Sequence, residues 1–174
     1  ELRGGSRESL DRLVPLVYEP LRAIAHPQIG RRAAGGTLET TGLVHEAYLK
    51  VVAQSSPGVR DRAHFLALAS LAMRHVLVDR ARARHRLKRG GIGARITFDD
   101  DRIAVDEQPE VLLQLDVALS WLAELEPRLA RVVECRFFGG LTEDEIADAL
   151  GVTVRTVQRD WVKARMLLRR ALES

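Results

Sequence analysis

Apolar residues recur at spacings of three and four along most of the chain, and the breaks fall at prolines and glycine pairs. That pattern commits the sequence to helices packed on helices. Leu10, Leu13, Val14, Val17, Leu21 and Ile24 form the first such stripe, with Pro15 and Pro20 predicting a kink or two short helices. Gly35-Gly36 ends this segment, and Thr40 or Thr41 then caps a helix whose buried stripe is Leu43, Val44, Ala47, Tyr48, Val51 and Val52. Residues 54–58 read as a loop. A long helix follows, turning Phe65, Leu68, Ala69, Ala72, Val76 and Leu77 inward before Gly90-Gly91 stops it. Residues 90–108 lose the period, and within them Ile96-Thr97-Phe98 is long enough only for a strand fragment. Pro109 opens the next helix, with Val111, Leu112, Leu115, Leu119 and Leu122 inside, and Pro127 opens another that uses Leu129, Val132 and Val133 and ends at Gly139-Gly140. The expected fold is all-α: a helical domain over 1–89, an acidic flexible linker over 90–108, and a second helical domain over 109–174.

The rest of the composition narrows the function classes. No apolar run in the 174 residues approaches the ~20 needed to cross a bilayer, and no signal-peptide pattern opens them, so a cytoplasmic protein without membrane contact is expected. Cys135 is the one cysteine, which leaves no disulfide framework and no cysteine-rich zinc site; on a helical segment it reads as a small core residue. His75 and Asp79 share a helix face at i, i+4, but a third ligand at metal spacing is missing and the surroundings are cationic. Gly90-Gly91-Ile92-Gly93 lacks the Lys-Ser/Thr ending of a phosphate loop. Neither an enzyme nor a cofactor is expected.

The net charge of +3 conceals segregation. Residues 60–90 hold nine Arg or Lys against two Asp, residues 99–127 hold nine acids against Arg102, and residues 153–172 hold six basic residues against Asp160. Two cationic blocks flanking an anionic one suit two surfaces that face a polyanion, although solvated helix faces would produce the same counts.

The third block coincides with a motif. Thr142-Glu143-Asp144-Glu145 is a capping box, a short helix runs to Leu150, and Gly151 supplies a sharp turn into a second helix from about Thr153. Ala147 is small where two helices cross, Ile146, Leu150, Val152, Val157 and Trp161 fill the wedge, and Met166 with Leu167 or Leu168 extends the apolar side. This is helix-turn-helix grammar. Arg155, Thr156, Gln158, Arg159 and Lys163 occupy the outward side of the second helix, where Arg can bridge guanine, Gln can read adenine and every cation can hold phosphate.

The arrangement resembles a bacterial RNA polymerase sigma factor of the extracytoplasmic-function group. Residues 141–152 (LTEDEIADALGV) and 154–165 (VRTVQRDWVKAR) are similar to region 4, which binds the −35 promoter element; residues 43–50 (LVHEAYLK), His64-Phe65 and the run 79–84 (DRARAR) are similar to region 2, which engages polymerase and melts the −10 element. The resemblance implies that the helix around 42–52 docks on the clamp helices of the largest polymerase subunit through Leu43, Glu46 and Lys50, and that region 4 meets the flap of the second subunit. It implies that Arg60, Arg62, His64 and Phe65 hold an extruded base while Arg74, Arg80, Arg82, Arg84 and Arg86 grip promoter backbone, in a salt-dependent manner. The acidic segment resembles one threaded through the polymerase interior. The partners implied are core RNA polymerase and promoter DNA, with an anti-sigma factor or a Ser/Thr kinase as regulators.

Three departures from the family pattern stand out. Aromatics at the melting surface are few, and the chain is too short for the inhibitory region and third domain of the longer sigma factors. Many relatives carry several acids before the docking helix, where this chain has Glu39-Thr40-Thr41-Gly42. A phosphate on Thr40 or Thr41 would add about −1.5 to −2 charge at a helix N-terminus and replace those acids; the simpler role for the threonines is capping. The alternative reading of the chain is an ordinary helix-turn-helix regulator that binds its operator without polymerase, which leaves the basic block at 60–90 unexplained.

Overall fold

The computed structural model describes residues 36–54, 59–87 and 109–173. The expected helices around 10–24, the Gly90-Gly91 stop, the linker and the 96–98 fragment lie outside them. Six α-helices are present among the described residues: α1 (Gly36–Gln54), α2 (Arg62–Leu87), α3 (Pro109–Leu125), α4 (Pro127–Val133), α5 (Glu143–Leu150) and α6 (Val154–Glu173), with a π-helical turn, Glu134–Phe138, continuing α4. The described residues contain no strand, and the fold is all-α as expected.

α2 is the axis of the molecule. It packs on α1, α3, α5 and the π-helical turn, so its neighbours come from both halves of the chain. The expected inward set is buried except Leu68, which packs at the core's edge, and Leu66, Ala67, Met73, Val78 and Ala81 are buried as well. A helix with this many buried positions lies inside a core rather than on one. Apolar side chains from α1 through α6 accordingly join in one continuous cluster.

α1 begins at Gly36, five to six residues before the start that a Thr40 or Thr41 cap requires. Gly36 opens a helix instead of closing one, because the entropic cost of glycine is serious in a helix interior and small at its end. Both threonines therefore lie within the helix. Pro109 and Pro127 open α3 and α4 as expected, each at a position where the missing N–H costs nothing.

The glycine pair at 139–140 does more than stop a helix. The N–H of Gly139 donates to the Glu134 carbonyl, five residues back, at 3.2 Å, Gly140 has φ 60°, and Leu141 N–H reaches the Cys135 carbonyl at 3.1 Å. A Cβ on Gly139 would stand 2.0 Å from the Ser70 hydroxyl of α2 and 2.5 Å from the Cys135 carbonyl. Close approach, not backbone conformation, demands this glycine.

The helix-turn-helix forms as its sequence dictates. Thr142 Oγ1 accepts from Glu145 N–H at 3.3 Å while Thr142 N–H donates to Glu145 Oε2 at 2.9 Å. Gly151 takes φ 67°, ψ 37°, which a Cβ would oppose. Ile146 and Val157 are fully buried in the wedge, with Leu150, Val152 and Trp161 at its edge. Met166 is a correction: it faces solvent, and Leu168, two residues on, takes the core position because the buried side of α6 runs Val157, Asp160, Ala164, Leu168. In urea denaturation Gly139→Ala is expected to lose about 3 kcal/mol or more through overpacking, against about 1–2 kcal/mol for Gly151→Ala, where only the left-handed conformation is penalised.

Candidate nucleic-acid interface

The second helix of the helix-turn-helix, α6, is set by charge as well as by packing. Asp160 is buried on its inner side and accepts from Arg128 Nε at 2.6 Å, a pairing that raises the Arg128 pKa. The Arg136 guanidinium sits 4.6 Å from the centre of the Trp161 ring and pairs with Glu143 at 3.2 Å, joining α6 to α5 through the turn that precedes them. Thr153 Oγ1 accepts from Thr156 N–H at 3.2 Å and caps the helix.

The five outward residues then divide. Arg155 and Arg159 are exposed, one turn apart, and make no ion pair among the described residues. Gln158 is exposed but donates to Glu143 Oε2 at 2.7 Å, and Lys163 pairs with Glu126 at 2.5 Å. Thr156 is half-buried, its hydroxyl 2.9 Å from that of Thr153, so it serves the helix start. Arg155 and Arg159 are the pair that an incoming duplex would meet without first displacing a partner.

The residues expected for melting separate more sharply. Arg60 and Arg62 are exposed; Arg60 donates to the Ala149 carbonyl of α5 at 3.4 Å, and Arg62 lies 3.9 Å from Glu145. His64 N–H donates to Asp61 Oδ1 at 2.8 Å, which caps α2, and its Nδ1 accepts from Arg60 N–H. Burial, and then the Arg60 charge, push the His64 pKa down, so the ring is largely neutral at pH 7. Phe65 is a correction, because it is fully buried in the core: the apolar face of α2 begins at its first turn, and the ring cannot stack on a base in this conformation.

Arg74 is a second correction. It is buried, with two bonds to Asp116 Oδ1 at 2.9 and 2.7 Å and one to Glu134 Oε1 at 2.7 Å, and so offers DNA nothing here. Arg80 is half-buried and pairs with Glu46 at 3.1 Å; Arg82 is exposed between Asp79 and Asp116, at 3.5 and 3.3 Å. Arg84 is half-buried, and Arg86 is exposed with its Nε on the Arg82 carbonyl. Much of the basic block is thus neutralised by acids of the chain itself.

On α1, Leu43 is fully buried against α2, which corrects its assignment as a contact residue, while Glu46 is exposed. Lys50 is half-buried and pairs with Asp79 at 2.9 Å. Among the described side chains of this helix, Leu49 is exposed and apolar, 49% accessible, and the stripe reading passed it over. Thr41 is exposed on the same helix.

Sequence reasoning also missed Asp116, Glu134, Arg128 and Asp160. The signal was available for two of them, since Glu134 and Asp160 each interrupt a stretch that must be buried. Cys135 is buried beside the Ser70 hydroxyl, and burial pushes its thiol up to about 12, which fits a core residue and not a nucleophile. Among the described residues no His, Cys, Asp and Glu group of three or more could hold a metal, and no helix is long and apolar enough to cross a membrane.

The fold, with its cationic second helix, defines a helix-turn-helix protein. A family model described as ECF sigma factor matches residues 1–174, and the chain belongs to that family, whose members work with core RNA polymerase and promoter DNA to direct transcription. Comparison with curated proteins gives no match.

His75 lies beside Arg74 and Lys50, and burial, then these charges, lower its pKa from the ordinary 6.5. The unfolded chain therefore binds the proton at higher pH than the folded one, and stability present above about pH 6.5 is lost as pH falls toward the folded value. Thermal midpoints of the wild type should drop through that window, with His64 acting in the same sense, and His75→Gln should flatten the profile.

Proposed function

We propose that the chain places core RNA polymerase at promoters by reading the −35 element with α6 and engaging the −10 element with the basic end of the α2 module. The observation that carries this reading is the pair Arg155 and Arg159, exposed and ready on a helix whose direction is fixed by Arg128–Asp160. Gln158 and Lys163 join once they leave Glu143 and Glu126. Arg60, Arg62, Arg80, Arg82, Arg84 and Arg86 supply backbone contacts, with His64 as a neutral ring near the melting site. The polymerase performs the chemistry. Residues 1–89 and 109–174 act as the two promoter-binding modules, and residues 90–108 connect them.

Contact with the polymerase clamp falls to the exposed side of α1, where Glu46 and Leu49 supply a charge and an apolar anchor and Lys50 flanks them. The flap of the second subunit has a seat in the apolar groove between α3 and α6, which exposes Val117, Trp121 and Leu125 beside the half-buried Leu167. An apolar helix fits such a groove.

Phosphorylation near the start of α1 fits a different mechanism from N-terminal capping, because the helix starts at Gly36. The Arg80 guanidinium pairs with Glu46 and lies 3.8 Å from where a Gly42 Cβ would stand, next to Thr41 along the chain. A phosphate on Thr41 would compete for Arg80 and release Glu46 to the polymerase; Thr40 stands one residue further away. A Ser/Thr kinase, or an anti-sigma factor covering the same surfaces, would set the level of activity.

Runoff transcription with core polymerase on a promoter library tests the reading. Promoter-selective transcripts should depend on the chain, and Arg159→Ala should reduce them about tenfold, the worth of one lost base contact of roughly 1.4 kcal/mol. Trp121→Asp should weaken polymerase binding by a comparable factor without loss of helicity. Transcription that is equal with and without a Thr41 phosphate would remove the switch. A footprint on DNA made by the chain alone, with no effect on polymerase, would assign it to ordinary regulators instead.

A further inference from the structure

Glu143 stands where the two helices of the helix-turn-helix meet, and it holds two partners at once. Its Oε2 accepts from Gln158 Nε2 of α6 at 2.7 Å, and its Oε1 accepts from Arg136 at 3.2 Å. Arg136 is itself fixed, with its guanidinium 4.6 Å from the centre of the Trp161 ring. The side chains of Arg136 and Glu143 are 31% and 33% accessible, so water competes only in part for their bonds. A hydrogen bond to a charged acceptor is roughly twice as strong as one between neutral groups, and partial withdrawal from water strengthens it. The Gln158 amide is therefore drawn toward α5 by a carboxylate that is anchored from behind.

Its neighbours on α6 are under no such claim. Arg155 and Arg159 flank Gln158 in the sequence, are exposed, and make no ion pair among the described residues. A guanine facing either arginine gains a full bidentate contact through O6 and N7. An adenine facing Gln158 also gains a bidentate contact, through Oε1 and an N–H, but the amide must first give up Glu143. Gain and loss are of the same order. Opposite any other base the amide stays with the carboxylate. The sequence preference that Gln158 confers is thus a small difference between two comparable interactions.

We propose that Glu143 sets the promoter specificity of this chain: by competing with DNA for the Gln158 amide it suppresses adenine selection at one position of the −35 element. Discrimination is then left to the guanines that face Arg155 and Arg159. The proposal rests on the sigma-factor reading above. Glu143 acts as a positioning residue and needs no base contact of its own. A position read weakly beside two read strictly lets one factor accept promoters that differ there. The sequence alone gives no sign of this, because an acid that opens α5 is already accounted for by the helix dipole. Its partner lies fifteen residues further on, on another helix.

Runoff transcription with core polymerase and the full chain, on templates randomised across the −35 element, reads the preference at every position together. The wild type should favour guanine opposite Arg155 and Arg159. Glu143→Ala should raise adenine selection at one further position by about fivefold or more, the lower end of the worth of a bidentate base contact. Adding Gln158→Ala to that variant should erase the gain, which identifies the position. Glu143→Gln keeps an acceptor for Gln158 and Arg136 but not the charge, and should give an intermediate preference. Adenine selection unchanged by both Glu143 variants would overturn the proposal, as would a strong Gln158-dependent adenine preference already present in the wild type. Loss of the guanine preferences in the same variants would also overturn it, by showing that Glu143 only holds α6 in place. If the wild type gives no promoter-selective transcripts with polymerase, the sigma reading fails instead. Selection of the same templates by binding to the chain alone would then still judge Glu143.

Discussion

A guanidinium buried between two carboxylates organises this molecule. Taking Arg74 out of water is tolerable only because Asp116, Ser120 and Glu134 occupy its donors, and those partners come from α3 and the π-helical turn, well over thirty residues away. α2 must therefore lie where both can be reached. Removing one member of such a buried pair costs about 3–5 kcal/mol, a large share of the roughly 5–15 kcal/mol that holds a domain together. The π-helical turn follows from the same demand: it carries Glu134 to Arg74 and Gly139 to Ser70 in one short stretch.

The same pairing changes what the charge segregation means. Acids of the 99–127 block are used against both basic blocks, Asp116 on Arg74 and Arg82, and Glu126 on Lys163. Counting by segment suggests two open cationic surfaces, whereas the folded chain presents fewer and more selective ones. Arg155 and Arg159 make no ion pair among the described residues, while the inner Asp160 of α6 draws in Arg128. A nucleic acid meeting this surface gains fully at those two positions and only by exchange at the others.

How far the sequence foretold this depends on the range of the interaction. Pro109, Pro127, the Thr142 capping box and the Gly151 turn are decided within a few residues, and each forms where the local chemistry places it. The start of α1 was missed because the glycine at 36 reads equally as an end and as a beginning. Phe65, Leu43 and Arg74 were misplaced for a common reason: each was assigned to a surface by analogy with a function, although each also lay on or beside an apolar stripe. Arg74 is the sole Arg, Lys, Asp or Glu between Ala63 and Val78, and a single charge in so apolar a run must find a distant partner or leave the core. The identity of that partner has no local signature; it exists only once α3 is laid on α2.

Burial of charge and exposure of apolar surface are complementary here, and both bear on a protein that works inside a larger assembly. The polar groups that a two-module chain would show to solvent are folded inward at Arg74 and Glu134, while Val117, Trp121, Leu125 and Leu49 remain outside, where a free monomer gains nothing from them. An isolated chain optimised for its own stability would reverse that assignment. The buried ion pairs sit inside one continuous apolar core, whereas the outer apolar patches are relieved only by a partner.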